Sequence, residues 1–213
     1  MAARDYGQYG GVTRAVELVG ERWALLIIRD LLVGPRRYGE LAGGLHRIPS
    51  NILATRLKEL QAAGVIRRVP HSRVIVYELT PYGRELEPVV LALGAWGFKA
   101  LGDARDEQII TPDSMTMDLR AAFRANVAAV LPATSYAARL GEAELLIRVH
   151  GAELDVARGA GEADLSFAAG TDIHRLISGE LDAQRAIETG AVQLLHGRGA
   201  LLERFASTFH LAA

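Results

Sequence analysis

The sequence contains no cysteine. That absence excludes disulfides and thiolate metal ligands. The six histidines, His46, His71, His150, His174, His196 and His210, form no His-Glu-x-x-His pattern, so no metal site is expected. No apolar run approaches the ~20 residues that cross a bilayer, and the opening Met-Ala-Ala-Arg-Asp-Tyr-Gly lacks the charged-then-apolar shape of a signal peptide. A cytoplasmic location without membrane partners is therefore expected. Neither a Gly-x-Ser-x-Gly elbow nor a P-loop occurs. Gly197-Arg-Gly199 is a bare Gly-x-Gly with no room behind it for a dinucleotide-binding unit, and it reads as a turn. Carboxylates are scattered through the back half without an acid/base couple. The expectation is a protein that is not an enzyme and needs no cofactor.

What is present describes a globular chain. Of 213 residues, 50% are hydrophobic and 23% charged, enough for one large or two small cores. The net charge of -1 hides an asymmetry. Residues 1–102 carry 14 Lys+Arg against 9 Asp+Glu, leaving 10 against 16 behind them. A basic front half suits a polyanion, and the acidic back half does not.

The stretch from Ile48 to Gly64 reads as a helix with its signals intact, Ser50 as cap after a proline and Gly64 as stop. Leu53, Leu57 and Leu60 share one face, and Asn51, Thr55 and Lys58 the opposite one. Just upstream, Gly34-Pro-Arg-Arg-Tyr-Gly-Glu-Leu41 opens a shorter helix in which Tyr38, Leu41 and Leu45 line up. Two helices joined by a tight turn make a helix-turn-helix. After Gly64, the β-rich runs Val65–Val69 and Val74–Leu79 flank a polar turn, Pro70–Arg73, as a hairpin. The combination is a winged helix.

Residues 12 to about 97 resemble the HxlR-type winged-helix transcription regulators of the MarR-like superfamily. The resemblance rests on Arg14-Ala-Val-Glu-Leu-Val-Gly-Glu-Arg-Trp23, Leu25-Leu-Ile-Ile-Arg-Asp-Leu-Leu32, Gly34-Pro-Arg-Arg-Tyr-Gly-Glu-Leu41, Arg56-Leu-Lys-Glu-Leu60, Ala63-Gly-Val-Ile-Arg67 and Tyr77-Glu-Leu-Thr-Pro-Tyr-Gly83. Many members carry a cysteine before the first helix, where this chain has Gly10, so the thiol switch of some relatives is excluded. In a winged helix, Ser50, Asn51, Thr55 and Lys58 are placed for base edges. Arg36, Arg37, His71 and Arg73 are placed for phosphates or the minor groove. Arg56 flanks the buried face and is read as a structural ion pair.

The preceding helices are expected at Val12–Val19 and Arg22–Val33, the latter burying Trp23, Leu26, Ile27 and Leu31. Thr80-Pro81 starts a helix toward Leu101. Its apolar positions, Leu86, Val89, Val90, Leu93, Trp96 and Leu101, exceed what a small winged helix covers. With Tyr6 and Tyr9 they are expected to form a twofold homodimer interface, as the resemblance implies. Domain boundaries follow: a DNA-binding domain at 1–101, a polar linker at 102–114, and a second domain at 115–213.

The second domain reads as α+β: a helix over Met115–Leu131, strands at Ser135–Leu140, Leu145–His150, Glu153–Ala157 and Asp164–Phe167, a helix capped by Thr171-Asp172, another from the Gly179–Asp182 turn to Gly190, a last strand at Ala191–Leu195 and a last helix at Gly199–Leu211, with the sheet expected antiparallel. Asp164-Leu-Ser-Phe167, Ile173-His-Arg-Leu-Ile-Ser-Gly-Glu-Leu-Asp182, Ala186-Ile-Glu-Thr-Gly190 and Leu194-Leu-His-Gly197 resemble the sterol-carrier-protein family. That resemblance implies an apolar tunnel between sheet and helices. Phe123, Val127, Phe167, Leu176, Ile187, Leu195, Phe205 and Phe209 are the candidates to line it. The fold class is thus mainly α with α+β, a winged helix-turn-helix followed by a sterol-carrier-like domain.

The function expected is a dimeric regulator, a repressor, that binds a pseudo-palindromic double-stranded operator and senses an apolar, lipid-like effector. Two alternatives stand beside it. The back half is only a structural or dimerisation module, or the chain is a lipid carrier with an idle winged helix.

Overall fold

The computed structural model describes residues 5–105 and 107–211. The chain divides into two compact units between Val90 and Leu91. No helix among the described residues is long and apolar enough to cross a membrane.

In the first unit, α1 (Gly11–Val19), α2 (Ala24–Val33), α3 (Tyr38–Gly44) and α4 (Ser50–Ala62) precede a hairpin of β1 (Ile66–His71) and β2 (Val74–Leu79). Helix α2 packs on α3 and β2, while α4 packs on α1 and β1. Ile27, Ile28 and Leu31 of α2, Leu41 of α3, and Leu53, Leu57 and Leu60 of α4 are buried and build the core with Val65, Ile66 and Leu79. Two expectations for α2 are corrected. The helix begins at Ala24, because Trp23 adopts a left-handed backbone (φ 79°) at its cap. Leu26 is 39% exposed, while Ile28 is buried. The inward face is centred on Ala24, Ile27, Ile28 and Leu31, which at helical spacing turns Leu26 to the other side, while Trp23 at the cap is half-buried.

The hairpin turns more tightly than its sequence implies. Antiparallel pairing runs from Ile66↔Leu79 to His71↔Val74, leaving only Ser72 and Arg73 in the loop, with Ser72 at φ 55°. Pro70 therefore lies within β1, opposite Ile75. A single further bridge joins Arg36 to Tyr77 and adds a short third edge to the wing.

The helix expected from Pro81 to Leu101 is two helices, α5 (Pro81–Arg84) and α6 (Glu87–Phe98). Pro88 explains the break: it offers no N–H to the carbonyl of Arg84, and its ring crowds that position. Thr80 caps α5 as expected, its Oγ1 accepting from the Gly83 N–H at 3.0 Å. Gly83 is pressed against the preceding chain, where an added Cβ would stand 2.1 Å from the Val65 carbonyl oxygen. Gly83→Ala is expected to cost about 1–3 kcal/mol through this backbone clash, read as a lower denaturant midpoint for the full chain.

In the second unit, α7 (Pro112–Ala122) and α8 (Ala125–Ala128) lead into β3 (Thr134–Leu140), β4 (Ala143–His150) and β5 (Glu153–Arg158). Then come β6 (Leu165–Ala169), α9 (Ile173–Ser178), α10 (Ala183–Glu188), β7 (Val192–His196) and α11 (Gly199–Thr208). Residues 112–114, expected in the linker, open α7, where the Thr111 hydroxyl accepts from the Ser114 N–H at 3.1 Å. Asp113 is almost fully buried there and is paired with Arg158.

The sheet order is β5-β4-β3-β6-β7. The all-antiparallel expectation is corrected: β3 and β6 run parallel, from Tyr136↔Leu165 to Leu140↔Ala169, so the sheet is mixed. After the β3-β4-β5 meander the chain crosses over and β6 settles beside β3. Alternation along a strand shows which side chains point inward but not which strand lies alongside, or its direction. Tyr136, Ala138 and Leu140 alternate inward with Leu145, Ile147 and Val149 on β4. They meet Met115, Leu119, Leu176, Leu202 and Phe205 from the helices in one core. Where β3 starts, the Asp164 carboxylate accepts from the Ser135 N–H at 2.7 Å and from its hydroxyl at 2.8 Å. These bonds hold the Asp164 carboxyl below its ordinary value. The cap expected from Thr171-Asp172 is absent, since the Asp172 side chain accepts from no backbone N–H of α9, whereas Asp182 caps α10, accepting from the Arg185 N–H at 2.8 Å.

Candidate nucleic-acid interface

Helix α4 is fixed at both ends before it offers anything to solvent. Its C-terminus closes as the glycine stop requires: Gly64 has φ 73°, its N–H donates to the Gln61 carbonyl, and the Val65 N–H donates to that of Leu60. At the N-terminus Pro49, not Ser50, occupies the cap position, and the Ser50 side chain makes no capping bond. Proline fixes the extended φ that the cap needs, so Ser50 becomes the first helical residue. What secures this end is Tyr38, whose hydroxyl donates to the Ser50 carbonyl at 2.9 Å. The bond ties the start of α3 to the start of α4. Sequence reading placed Tyr38 on the apolar face of α3 but not in this role, since its partner is a backbone atom twelve residues away.

With Leu53, Leu57 and Leu60 buried, the opposite side of α4 is polar. Ser50, Asn51 and Lys58 are exposed and Thr55 is half-buried. The Thr55 hydroxyl donates to the Asn51 carbonyl at 2.8 Å, which turns its oxygen back toward the helix and leaves its methyl group as the outward feature. The expected structural role of Arg56 agrees with the geometry: its guanidinium lies 2.9 Å from Glu21 and also pairs with Glu59.

The other residues expected at DNA lie in the turn before α3 and in the wing. Arg37, exposed, sits at the start of α3 with its N–H bonded to the Glu40 carboxylate at 2.6 Å. Arg36 is half-buried and held by paired backbone bonds to Tyr77 of 3.0 and 2.7 Å. His71 and Arg73 are exposed at the wing tip. One exposed cation missed in the sequence is Arg68, whose guanidinium stands 5.8 Å from the Tyr77 ring. Alternation on β1 could have found it, because Arg67 is taken up by Glu78 at 2.6 Å while Arg68 lies opposite the aromatic residue. A helix with a small polar face, flanked by a basic turn and wing, has the side-chain types that base edges and phosphates bind.

The residues named for an apolar ligand are distributed differently. Phe167, Leu176, Phe205 and Phe209 are buried in the core of the second unit, with Phe123 and Ile187 packed against it. Ring centroids lie 5.8 Å apart for Phe123–Phe209, 4.7 Å for Phe205–Phe209 and 5.4 Å for Phe167–Phe205. Tyr136 joins them edge-on to Phe205 at 5.2 Å, and burial pushes its hydroxyl up to about 12. Val127 is half-buried on α8. Leu195 is 48% exposed on β7.

Fold and face together define a winged helix-turn-helix protein. A model of the HxlR-like helix-turn-helix family matches residues 18–105. The regulator YvaP of Bacillus subtilis is 36% identical over 86 residues, which cover 39% of this chain and 80% of that protein. The chain belongs to the HxlR-like helix-turn-helix family. The transcriptional regulator Mb3122 of Mycobacterium bovis is 41% identical over 112 residues, 51% of this chain. The match spans 65% of the length of that relative. Among solved structures, quinone-bound YodB of B. subtilis is 36% identical, with 41% of this chain and 96% of that one covered and a TM-score of 0.37.

Proposed function

We propose that this chain is a DNA-binding transcription regulator that works as a homodimer on a pseudo-palindromic operator. The observation that carries the reading is the exposed polar face of α4, Ser50, Asn51 and Lys58, set over a buried leucine face in a helix-turn-helix. Asn51 reads a base edge, Lys58 reaches a guanine or a phosphate, Thr55 offers its methyl group to a thymine, and Arg36, Arg37, His71 and Arg73 hold phosphates or enter the minor groove. Binding to duplex DNA, followed by fluorescence anisotropy between roughly 50 and 200 mM salt, is the test. A steep, linear fall of log K with log salt is expected, and salt-independent binding contradicts the reading.

The dimer is proposed from apolar side chains that face water. Helix α6 presents Val89, Leu93 and Trp96 outward at intervals of four and three residues, with Trp96 74% exposed. Tyr6, Tyr9, Val12 and Val16 are exposed on and before α1. A second copy covers these faces. Sedimentation at micromolar concentration is expected to give a dimer, and Leu93→Glu combined with Trp96→Glu a folded monomer.

The second unit is proposed as a sterol-carrier-like sensor for an apolar small molecule, supported by its aromatic interior of Phe123, Phe167, Phe205 and Phe209 between sheet and helices. Ligand acts on the operator only if it favours one dimer geometry over another. The ring contacts favour a second reading, in which these side chains fill the interior and the unit is a structural module. Native mass spectrometry of freshly purified dimer separates the two: a co-purified apolar compound supports the sensor, and the bare polypeptide mass supports the module.

A further inference from the structure

A cleft in the second unit lies apart from the aromatic interior. It opens where the segment before α7, at residues 101–104 and 108–110, passes α7 and the start of α9, and its volume is about 230 Å³. None of the eight residues named for the apolar ligand lines it. Sites for drug-sized ligands run to roughly 300–1,000 Å³, so this one has room for a smaller molecule.

We propose that the cleft binds a small organic cation, a protonated amine or amidine on a compact apolar body. The apolar part of the wall comes from the segment itself: Leu101, Ala104 and Ile109 line the cleft, and Leu101 and Ile109 are half exposed. A hydrocarbon group there removes apolar surface from water on both sides. The charged part comes from three elements, with Asp103 on the segment, Asp118 on α7 and Asp172 before α9.

His174 and Arg175 share the wall, and both already lie against acceptors. His174 lies with Nε2 3.3 Å from the Asp118 carboxylate and Nδ1 3.2 Å from the Thr171 carbonyl. Arg175 lies 3.2 Å from Asp172 and 3.9 Å from Glu180. Three carboxylates against one guanidinium and one imidazole leave the lining negative whichever charge His174 carries. A negative, partly apolar cleft attracts an organic cation and repels an anion of the same size.

Titration calorimetry of the full-length protein with benzylamine, and with phenylacetate as a similarly sized anion, tests the assignment. Benzylamine is expected to bind once per chain with a dissociation constant of about 1 mM or tighter, and phenylacetate not to bind. Asp103→Asn, at an exposed position, is expected to weaken benzylamine by about two- to fivefold. Ala104→Trp, which fills the cleft without altering charge, is expected to abolish binding with the melting midpoint unchanged. Equal binding of the two probes, no saturable benzylamine binding, or benzylamine binding unaltered by Ala104→Trp overturns the assignment. None of these readouts depends on DNA binding by the first unit.

Discussion

Replacing Asn51 and Lys58 together by alanine is expected to lower affinity for a specific operator by about 10²-fold or more while leaving the protein folded. A base-edge contact of the asparagine–adenine kind contributes about 1–3 kcal/mol of discrimination, and a lysine–phosphate contact adds about one unit to the salt slope. Both side chains are exposed on the face of α4 opposite Leu53, Leu57 and Leu60. Their loss therefore leaves the core intact, and stability is expected to change by no more than about 0.5 kcal/mol. The two single variants separate the roles. Asn51→Ala relaxes sequence preference at one base position in each half-site, whereas a phosphate-bound Lys58 loses affinity evenly over all sequences and with a shallower salt slope. Competition titrations against scrambled duplex, with thermal melting as control, report both quantities.

Phe205→Ala is expected to destabilise the second unit by about 3–5 kcal/mol. The ring is buried and meets three others, Tyr136 at 5.2 Å, Phe167 at 5.4 Å and Phe209 at 4.7 Å. It thus joins β3 and β6 to α11 at the parallel pair in the middle of the sheet. Removing it leaves a void that packed neighbours close only in part, and the edge-to-face pairs are lost as well. A single domain is stable by only about 5–15 kcal/mol, so a loss of this size approaches the whole margin. Hydrogen exchange read by mass spectrometry is the measurement. Peptides from residues 134–169 are expected to lose protection, and peptides from residues 24–79 to keep it.

The winged helix is legible in the sequence because its signals are local. A leucine stripe of helical period, a glycine stop and two β-rich runs around a polar turn all lie within 32 consecutive residues, from Ile48 to Leu79. What escapes sequence reading depends on a neighbour. The cap of α4 falls to Pro49 rather than Ser50, while Tyr38 secures that end from another helix. The pairing of Arg36 with Tyr77 is a single bridge, too short to leave a strand pattern. The helix break ahead of Pro88 is a local effect that the long apolar stripe from Leu86 to Leu101 masks. In the second unit the short β-rich runs are legible as strands, yet nothing local encodes that β6 returns parallel to β3.

The candidate site divides the same way. Asn51 and Lys58 can be assigned from a helical wheel alone, because exposure is the complement of the leucine face. Arg68 needs the register of the hairpin, which sets it opposite Tyr77 and its neighbour Arg67 opposite Glu78. The cleft beside His174 is the extreme case. Asp103, Asp118 and Asp172 are far apart in sequence, and only the passage of residues 101–104 and 108–110 beside α7 and α9 brings them to one wall.

Selection from a random duplex pool by the full-length protein tests the central claim most directly. The account predicts enrichment of an inverted repeat, with half-sites about one helical turn apart, and loss of that enrichment when Asn51 and Lys58 are both alanine. A pool that stays random through successive rounds, or a repeat enriched equally well by the doubly substituted protein, contradicts it.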